Sequence, residues 1–317
     1  MKKIIITISL ILLGLFLIIP RDKTLIERIV IIPKGTSLKG IAQRLKGEGI
    51  IKNKFLFIVL AKICRASNTL KAGEYELNNR MGMIEILEKL RKGKARVYIT
   101  TIPPGFTLSD IAGLLEKRGL ANKYKFLNLA FSPSFIKRLL PINPPSLEGY
   151  LFPDTYFLHK GMDEGEIIGL MVERFNEVVR KELGINDQTL HQVITLASII
   201  EKEAKAKEEY PVISAVFHNR LKKNIPLESC ASVLYALGEK KERLSIEDTK
   251  IPSPYNTYRK VGLPPGAICN PGILAIKSAL NPSNVDYLYF VSMGNGRHIF
   301  SKTASSHIFS KNLIWNK

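Results

Sequence analysis

"IPKGTSLKGIAQRLKGEGI" (Ile32–Ile50) and "IPPGFTLSDIAGLLEKRGL" (Ile102–Leu120) are two copies of one pattern, sharing Ile, Pro, Gly, Leu, Ile-Ala, Leu and Gly in register. Each copy follows residues of β character, Arg28–Ile32 or Arg96–Ile102, and turns through Pro-x-Gly. Helical spacing comes next, with Leu38, Ile41, Ala42 and Leu45 in the first copy and Leu108, Ile111, Ala112 and Leu115 in the second. The unit is strand, turn, short helix. Thr107, with Asp110 three residues on, fits a capping box at the start of the second helix. Between the copies, "LKAGEYELNN" (Leu70–Asn79) reads as a strand. "MGMIEILEKLRKG" (Met81–Gly93) reads as an amphipathic helix with Ile84, Leu87 and Leu90 on one stripe.

This region, taken as residues 25–140, resembles the LysM-type βα module that binds amino-sugar glycans. The competing reading is a plain scaffold in which Gly and Pro serve only the turns and the basic "KLRKGKAR" (Lys89–Arg96) is a solvated face. The chain of 317 residues has 47 Lys and Arg against 28 Asp and Glu, a formal charge of +19, so its partners are expected to be anionic surfaces or polymers. With 45% apolar residues, disorder is excluded as a reading of the whole. Three cysteines are too few for a disulfide scaffold, and the five histidines make no i, i+4 pair, so neither a metal nor a cofactor is expected.

The beginning, "MKKIIITISLILLGLFLIIPRDK" (Met1–Lys23), carries an apolar run from Ile4 to Ile19 with basic residues on both flanks. It is short for a membrane span, which takes about 17 to 25 residues. No small-x-small cleavage site follows it, which favours an uncleaved signal anchor over residues 1–20 against a cleaved signal peptide. The remainder would form one large body on one side of a membrane.

Composition changes at Pro141. "PINPPSLEGYLFPDTYFL" (Pro141–Leu158) combines prolines with aromatics and reads as a linker leading into a second domain, 141–317. Helices are expected from Glu164 to about Leu183, from about Gln188 to Ala206, around Val212 to Leu221, and from Ile273 to Leu280. "DYLYFVSMGNGRHIFSK" (Asp286–Lys302) reads as a hairpin turning at Gly294–Gly296. The fold class is therefore α+β: an N-terminal anchor, a LysM-like βα module and a mixed α+β domain.

Within the second of those helices lies "ITLASIIEKEAK" (Ile194–Lys205). At about 100° per residue, Leu196, Ile199, Ile200 and Glu203 share one stripe, whereas Glu201 sits roughly 200° away from Glu203. A carboxyl ending an apolar stripe is desolvated, which raises its pKa and suits it to general-acid work. The plainer alternative is a helix end surfacing among Lys202, Lys205 and Lys207. Glu148 in "LEGYLFPDTY" is a second acidic group among the sugar-stacking candidates Tyr150, Phe152 and Tyr156. "SPYNTYRKVGLPPGAICNPG" (Ser253–Gly272) crowds Tyr255, Asn256, Thr257 and Tyr258 ahead of a Gly-Pro loop. Rings and amides at this density suit a carbohydrate cleft, or an internally packed loop.

Seven segments in order, "LEGYLFPDTY", "ITLASIIEKEA", "VFHNRL", "SPYNTY", "GLPPGAICNPG", "NPSNVDYLYFV" and "GRHIFSKT", closely resemble the endolytic murein transglycosylases, the MltG-like or YceG-like family. The resemblance implies a membrane-anchored enzyme on the extracytoplasmic side of the cytoplasmic membrane. Such an enzyme cleaves the MurNAc–GlcNAc bond of peptidoglycan glycan strands, leaves anhydro ends and works near peptidoglycan synthases. It also implies that the second glutamate of "EKE", Glu203, is catalytic; Glu201, on another face of the helix, is read as supporting the helix or its surroundings. Glu148, Asn219, Tyr255, Asn256 and Tyr258 become candidates for binding sugar and orienting Glu203, and Tyr150 for binding sugar. Two departures stand out: Ala204 where relatives often have Thr or Ser, and Cys230 where many have aspartate. An exported domain could join Cys230 to Cys269, or leave both as free thiols. Nucleic acid is not an expected partner, because no nucleic-acid motif accompanies the charge.

Overall fold

The computed structural model describes residues 24–93, 96–238, 241 and 244–315. Among them no helix is long and apolar enough to cross a membrane; the apolar run Ile4–Ile19 lies outside the described residues. The chain forms two compact units. The first comprises the described residues through Thr100 together with Lys117–Ala121 and Tyr156–Asp163, and the second comprises Thr101–Glu116, Asn122–Thr155 and the residues from Glu164 onward.

In the first unit, β1 (Glu27–Ile32) is followed by α1 (Leu38–Gly47), α2 (Lys54–Ile63), β2 (Gly73–Asn78) and α3 (Met83–Lys92). The two strands pair antiparallel, from Glu27 opposite Asn78 to Ile32 opposite Gly73. Period-two alternation buries Val30 and Ile32 and leaves Ile29 and Ile31 outside. The helical spacing of the first repeat copy does as expected, burying Ile41, Ala42 and Leu45, and the Ser37 hydroxyl accepts the Gly40 N–H at 3.2 Å as N-cap. Phe57, Ala61, Tyr75, Leu77, Ile86, Leu87 and Leu90 complete this core. The expected stripe on α3 is displaced by one step: Ile86, Leu87 and Leu90 are buried, while Ile84 is exposed. Ile84 flanks the buried stripe on its exposed side, while Met83 of the same turn packs against the core.

The second copy of the repeat supplies β3 (Tyr98–Thr101) and α4 (Leu108–Lys117); β3 pairs with β4 (Thr155–Leu158). The expected capping box forms, since the Thr107 hydroxyl accepts the Asp110 N–H and the Asp110 carboxylate accepts the Thr107 N–H.

The remaining helices of the second unit are α5 (Lys123–Ala130), α6 (Pro133–Leu139), α7 (Glu164–Phe175), α8 (Asp187–Glu203), α9 (Tyr210–Lys222), α10 (Cys230–Leu237), α11 (Ile273–Leu280) and α12 (Ala304–Trp315). A hairpin of β5 (Tyr289–Ser292) and β6 (His298–Ser301) precedes α12, with Gly294 and Gly296 at positive φ in its turn. The expected single helix from Glu164 to Leu183 changes after Phe175 into a wider π-helical stretch, Asn176–Glu182. Helix α8 is central: Ile194, Leu196, Ala197, Ile199 and Ile200 are buried, and it packs against α9, α10 and α11.

The division between units does not fall at the expected Pro141. The proline-rich stretch is not a linker, because Leu147, Tyr150, Leu151 and Phe152 are buried in the second unit. Gly149 shows how close the packing is: at φ +92° it approaches so near that a Cβ would stand 2.6 Å from Ala267 Cβ and 2.7 Å from Ile194 Cγ2. Most of the second repeat copy, Thr101–Glu116, likewise belongs to this unit.

Candidate active site

Three glutamates of the second unit, two from α8 and one from the turn before β4, each reach the N-terminus of a helix to which they do not belong. Such a terminus offers unpaired N–H groups and a positive dipole end. Glu148 meets α4, Glu201 meets α11 and Glu203 meets α10.

Glu203 is the last residue of α8; Ala204 already has extended backbone, φ −81° and ψ 136°. Its Oε1 accepts the Ser229 hydroxyl at 2.6 Å and the Ala231 N–H at 3.4 Å. Among the described residues no donor takes Oε2, which is not among the buried unpaired atoms. Burial pushes the Glu203 carboxyl above the ordinary glutamate range, opposed by the bonds from Ser229 and Ala231 and by nearby His298. The C-terminal end of α8 also disfavours negative charge.

Glu201 faces the other way, as its position on the helix wheel requires. It accepts the Gly272 N–H at 2.9 Å, just before α11, and the Tyr210 hydroxyl at 3.2 Å. Burial raises its pKa too, against those two bonds and Lys202.

Glu148 is buried and surrounded by protein donors. It accepts the Leu108 N–H at 3.0 and 3.2 Å, the Asn270 amide at 3.2 Å and the Tyr235 hydroxyl at 3.4 Å. Burial pushes its pKa up to about 8. Its setting is that of an internal tie. The same holds for Tyr150, buried with its hydroxyl hydrogen-bonded to His191 Nδ1 at 2.8 Å. Asn256 is fully buried, donating to the Thr249 and Ile251 carbonyls and accepting the Tyr258 N–H. The Asn219 amide donates to the Val285 and Tyr287 carbonyls at 2.8 and 3.0 Å, which anchors the approach to β5. Tyr255 leans on Tyr235 with ring centroids 5.1 Å apart.

Tyr258 is half-buried and stays near Glu203, its hydroxyl 3.1 Å from Cys230 Sγ. Of the two alternatives for Cys230 and Cys269, a bridge or free thiols, the structure has the free thiols. Cys230 is exposed at the start of α10, whereas Cys269 is buried and donates to the Ser198 carbonyl at 3.3 Å.

Four residues at or around the site were not singled out from the sequence. Ser229 holds Glu203 directly. Buried Asn270 accepts the Gly149 and Leu151 N–H groups and donates to the Phe106 carbonyl and Glu148, which joins three distant segments. Glu209 accepts the His298 backbone N–H at 3.1 Å and bonds its Nδ1 at 2.7 Å, fixing that ring beside Glu203. The signal for Ser229 is its place immediately before a helical run, and "GRHIFSKT" already contained His298; nothing local marked Asn270 or Glu209.

Over residues 30–312 the sequence matches the YceG-like family. A protein named endolytic murein transglycosylase in Bacillus subtilis is 36% identical over 294 residues, covering 87% of this chain and 81% of that protein. One of the same name in Streptococcus pneumoniae (strain R6) is 32% identical over 88% of this chain, which spans 58% of its length. The crystal structure of a yceG-like protein from Listeria monocytogenes superposes with a TM-score of 0.62 at 34% identity, covering 90% of this chain and 99% of that one.

Proposed function

Because the chain belongs to the YceG-like family, we propose that it is an endolytic murein transglycosylase, cleaving the β-1,4 bond between N-acetylmuramic acid and N-acetylglucosamine without water. The observation that carries this is Glu203: a carboxyl raised in pKa by burial, with one oxygen held by Ser229 and Ala231 and no described donor on the other. A protonated Glu203 donates to the glycosidic oxygen as the C1–O4 bond breaks through an oxocarbenium-like state. The resulting carboxylate takes the proton of the muramyl C6 hydroxyl while that oxygen bonds to C1, closing a 1,6-anhydro ring. The nucleophile belongs to the substrate, so proximity replaces a second enzymatic carboxylate.

Three further parts belong to the same reading. Residues 1–20 anchor the chain in the cytoplasmic membrane, with both units on its outer face beside nascent glycan. The strand–turn–helix entry of the first unit supports a LysM-like glycan contact there. Cleavage at that place would end strand elongation, next to the synthases that extend it.

The test is digestion of purified glycan strands by the full chain, followed by mass analysis of the new ends. Anhydro ends support the proposal, reducing ends indicate a muramidase, and absence of cleavage indicates a glycan-binding scaffold. Glu203→Gln is expected to lower turnover by roughly 10²- to 10⁴-fold, the usual contribution of a general acid, while glycan binding persists. Retained activity in Glu203→Gln, with loss in Glu201→Gln, would move the catalytic role to Glu201.

A further inference from the structure

Ser229 is the N-cap of α10, yet its side chain caps nothing there. An N-cap serine ordinarily turns its oxygen to the N–H groups of its own helix. Here the hydroxyl points away and donates to Glu203 Oε1 at 2.6 Å, and the Glu203 carboxyl takes the Ala231 N–H in its stead. The cap of α10 is thus supplied by the last residue of α8.

A buried hydroxyl network holds Ser229 in this orientation. Its N–H donates to Thr257 Oγ1 at 3.0 Å, and its carbonyl accepts the Ser232 hydroxyl at 2.8 Å. Ser232 and Thr257 are themselves 2.8 Å apart. Ser229, Ser232 and Thr257 are all buried. Thr257 is fixed in turn by its loop, which Asn256 ties to the Thr249 and Ile251 carbonyls. The "SPYNTY" segment thereby ends, through Thr257 and Ser229, on one carboxylate oxygen.

We infer that Ser229 is a positioning residue for Glu203: anchored by Thr257 and Ser232, it holds Oε1, turns Oε2 to the substrate and stabilises the carboxylate that exists after proton donation. The inference rests on the reading of Glu203 as the catalytic acid. A hydroxyl bonded to a carboxylate is stronger than one bonded to a neutral acid. The bond therefore tightens as the proton leaves, which is the differential stabilisation that accelerates a step. The other ionisable groups facing Glu203 are His298 from β6, Cys230 from α10 and Tyr258 from the 253–272 loop.

The test compares Ser229→Ala, Ser229→Gly and Ser229→Thr with Glu203→Gln in the full chain, measuring kcat and KM on purified uncrosslinked glycan strands across pH. Ser229→Ala is expected to lower kcat by roughly 10- to 100-fold, the worth of a charge-assisted bond, with KM little changed. The Ser229 bond lowers the Glu203 pKa, so its loss keeps the acid protonated to higher pH. The alkaline limb of kcat/KM then moves upward. Ser229→Thr restores both rate and limb. Ser229→Gly preserves an acceptable N-cap residue and shows the same limb shift even if alanine disturbs folding. An unmoved limb in alanine and glycine variants overturns the inference, whether or not kcat falls. Glu203→Gln separates the two claims: if it still cleaves, the catalytic reading fails; if it is inactive while Ser229→Ala behaves as wild type, only the role of Ser229 fails.

Discussion

Glu148 illustrates how a single buried carboxyl couples stability to pH. Burial raises it from 4.5 to about 8, although Leu108, Asn270 and Tyr235 all donate to it. Desolvation wins because it outweighs those bonds and the smaller pull of the Lys202 charge. Its folded pKa stands above its unfolded one, so the folded state holds a proton that the unfolded state has released. The associated stability is complete below about pH 4.5 and is lost as pH rises toward 8, the two values between which the group is shifted. Glu148→Gln, whose amide can still accept from Leu108 and donate to Tyr235, is expected to flatten that part of the curve. Urea denaturation at a series of pH values measures it; parallel curves for the two proteins would refute the assignment. From the sequence, Glu148 was recognisable as a notable acid, but its surroundings were not. Leu108 and Asn270 lie 40 and 122 residues away, and no local pattern pairs them.

At the scale of elements, the second unit is organised by carboxylates of one segment stabilising the helix starts of another. Glu201 is the clearest structural case, since it accepts the first N–H at α11 and the Tyr210 hydroxyl. Glu201→Ala leaves both donors without their acceptor and is expected to cost about 1–3 kcal/mol, read as a lowered urea midpoint. Glu201→Gln keeps an acceptor oxygen and should lose less. Equal midpoints for Glu201→Ala and the unmodified chain would show that water replaces the carboxylate at no cost. The elements themselves were largely legible. Periodicity located β1, β2, α1, α3, α8, α11 and the β5–β6 hairpin, because each buries one face and the spacing of apolar residues records which. The exceptions follow from the same cause. Ile84 belongs to the periodic pattern of α3 but sits outside the core, and the prolines of Pro141–Pro153 resemble a linker though their apolar neighbours are buried.

Across the whole molecule the excess of 47 basic over 28 acidic residues acts at longer range than any one contact. Attachment to intact anionic cell-wall sacculi should accordingly weaken with salt and fall markedly at 1 M, where the Debye length is about 3 Å. Co-sedimentation of the full chain measures this, and salt-independent attachment would place recognition in sugar contacts instead of charge. Taken alone, the sequence determined the repeat, the mixed α and β elements and which glutamate of "EKE" continues the apolar stripe of α8, since these are properties of neighbours along the chain. Only the tertiary structure decided that most of the second repeat copy joins the larger unit, that the two thiols stay apart, and that the tyrosine- and asparagine-rich loop ends through Thr257 and Ser229 on Glu203. The reason is that a side-chain amide or hydroxyl carries no record of its partner: a buried polar group must be satisfied, but packing alone determines which distant atom satisfies it.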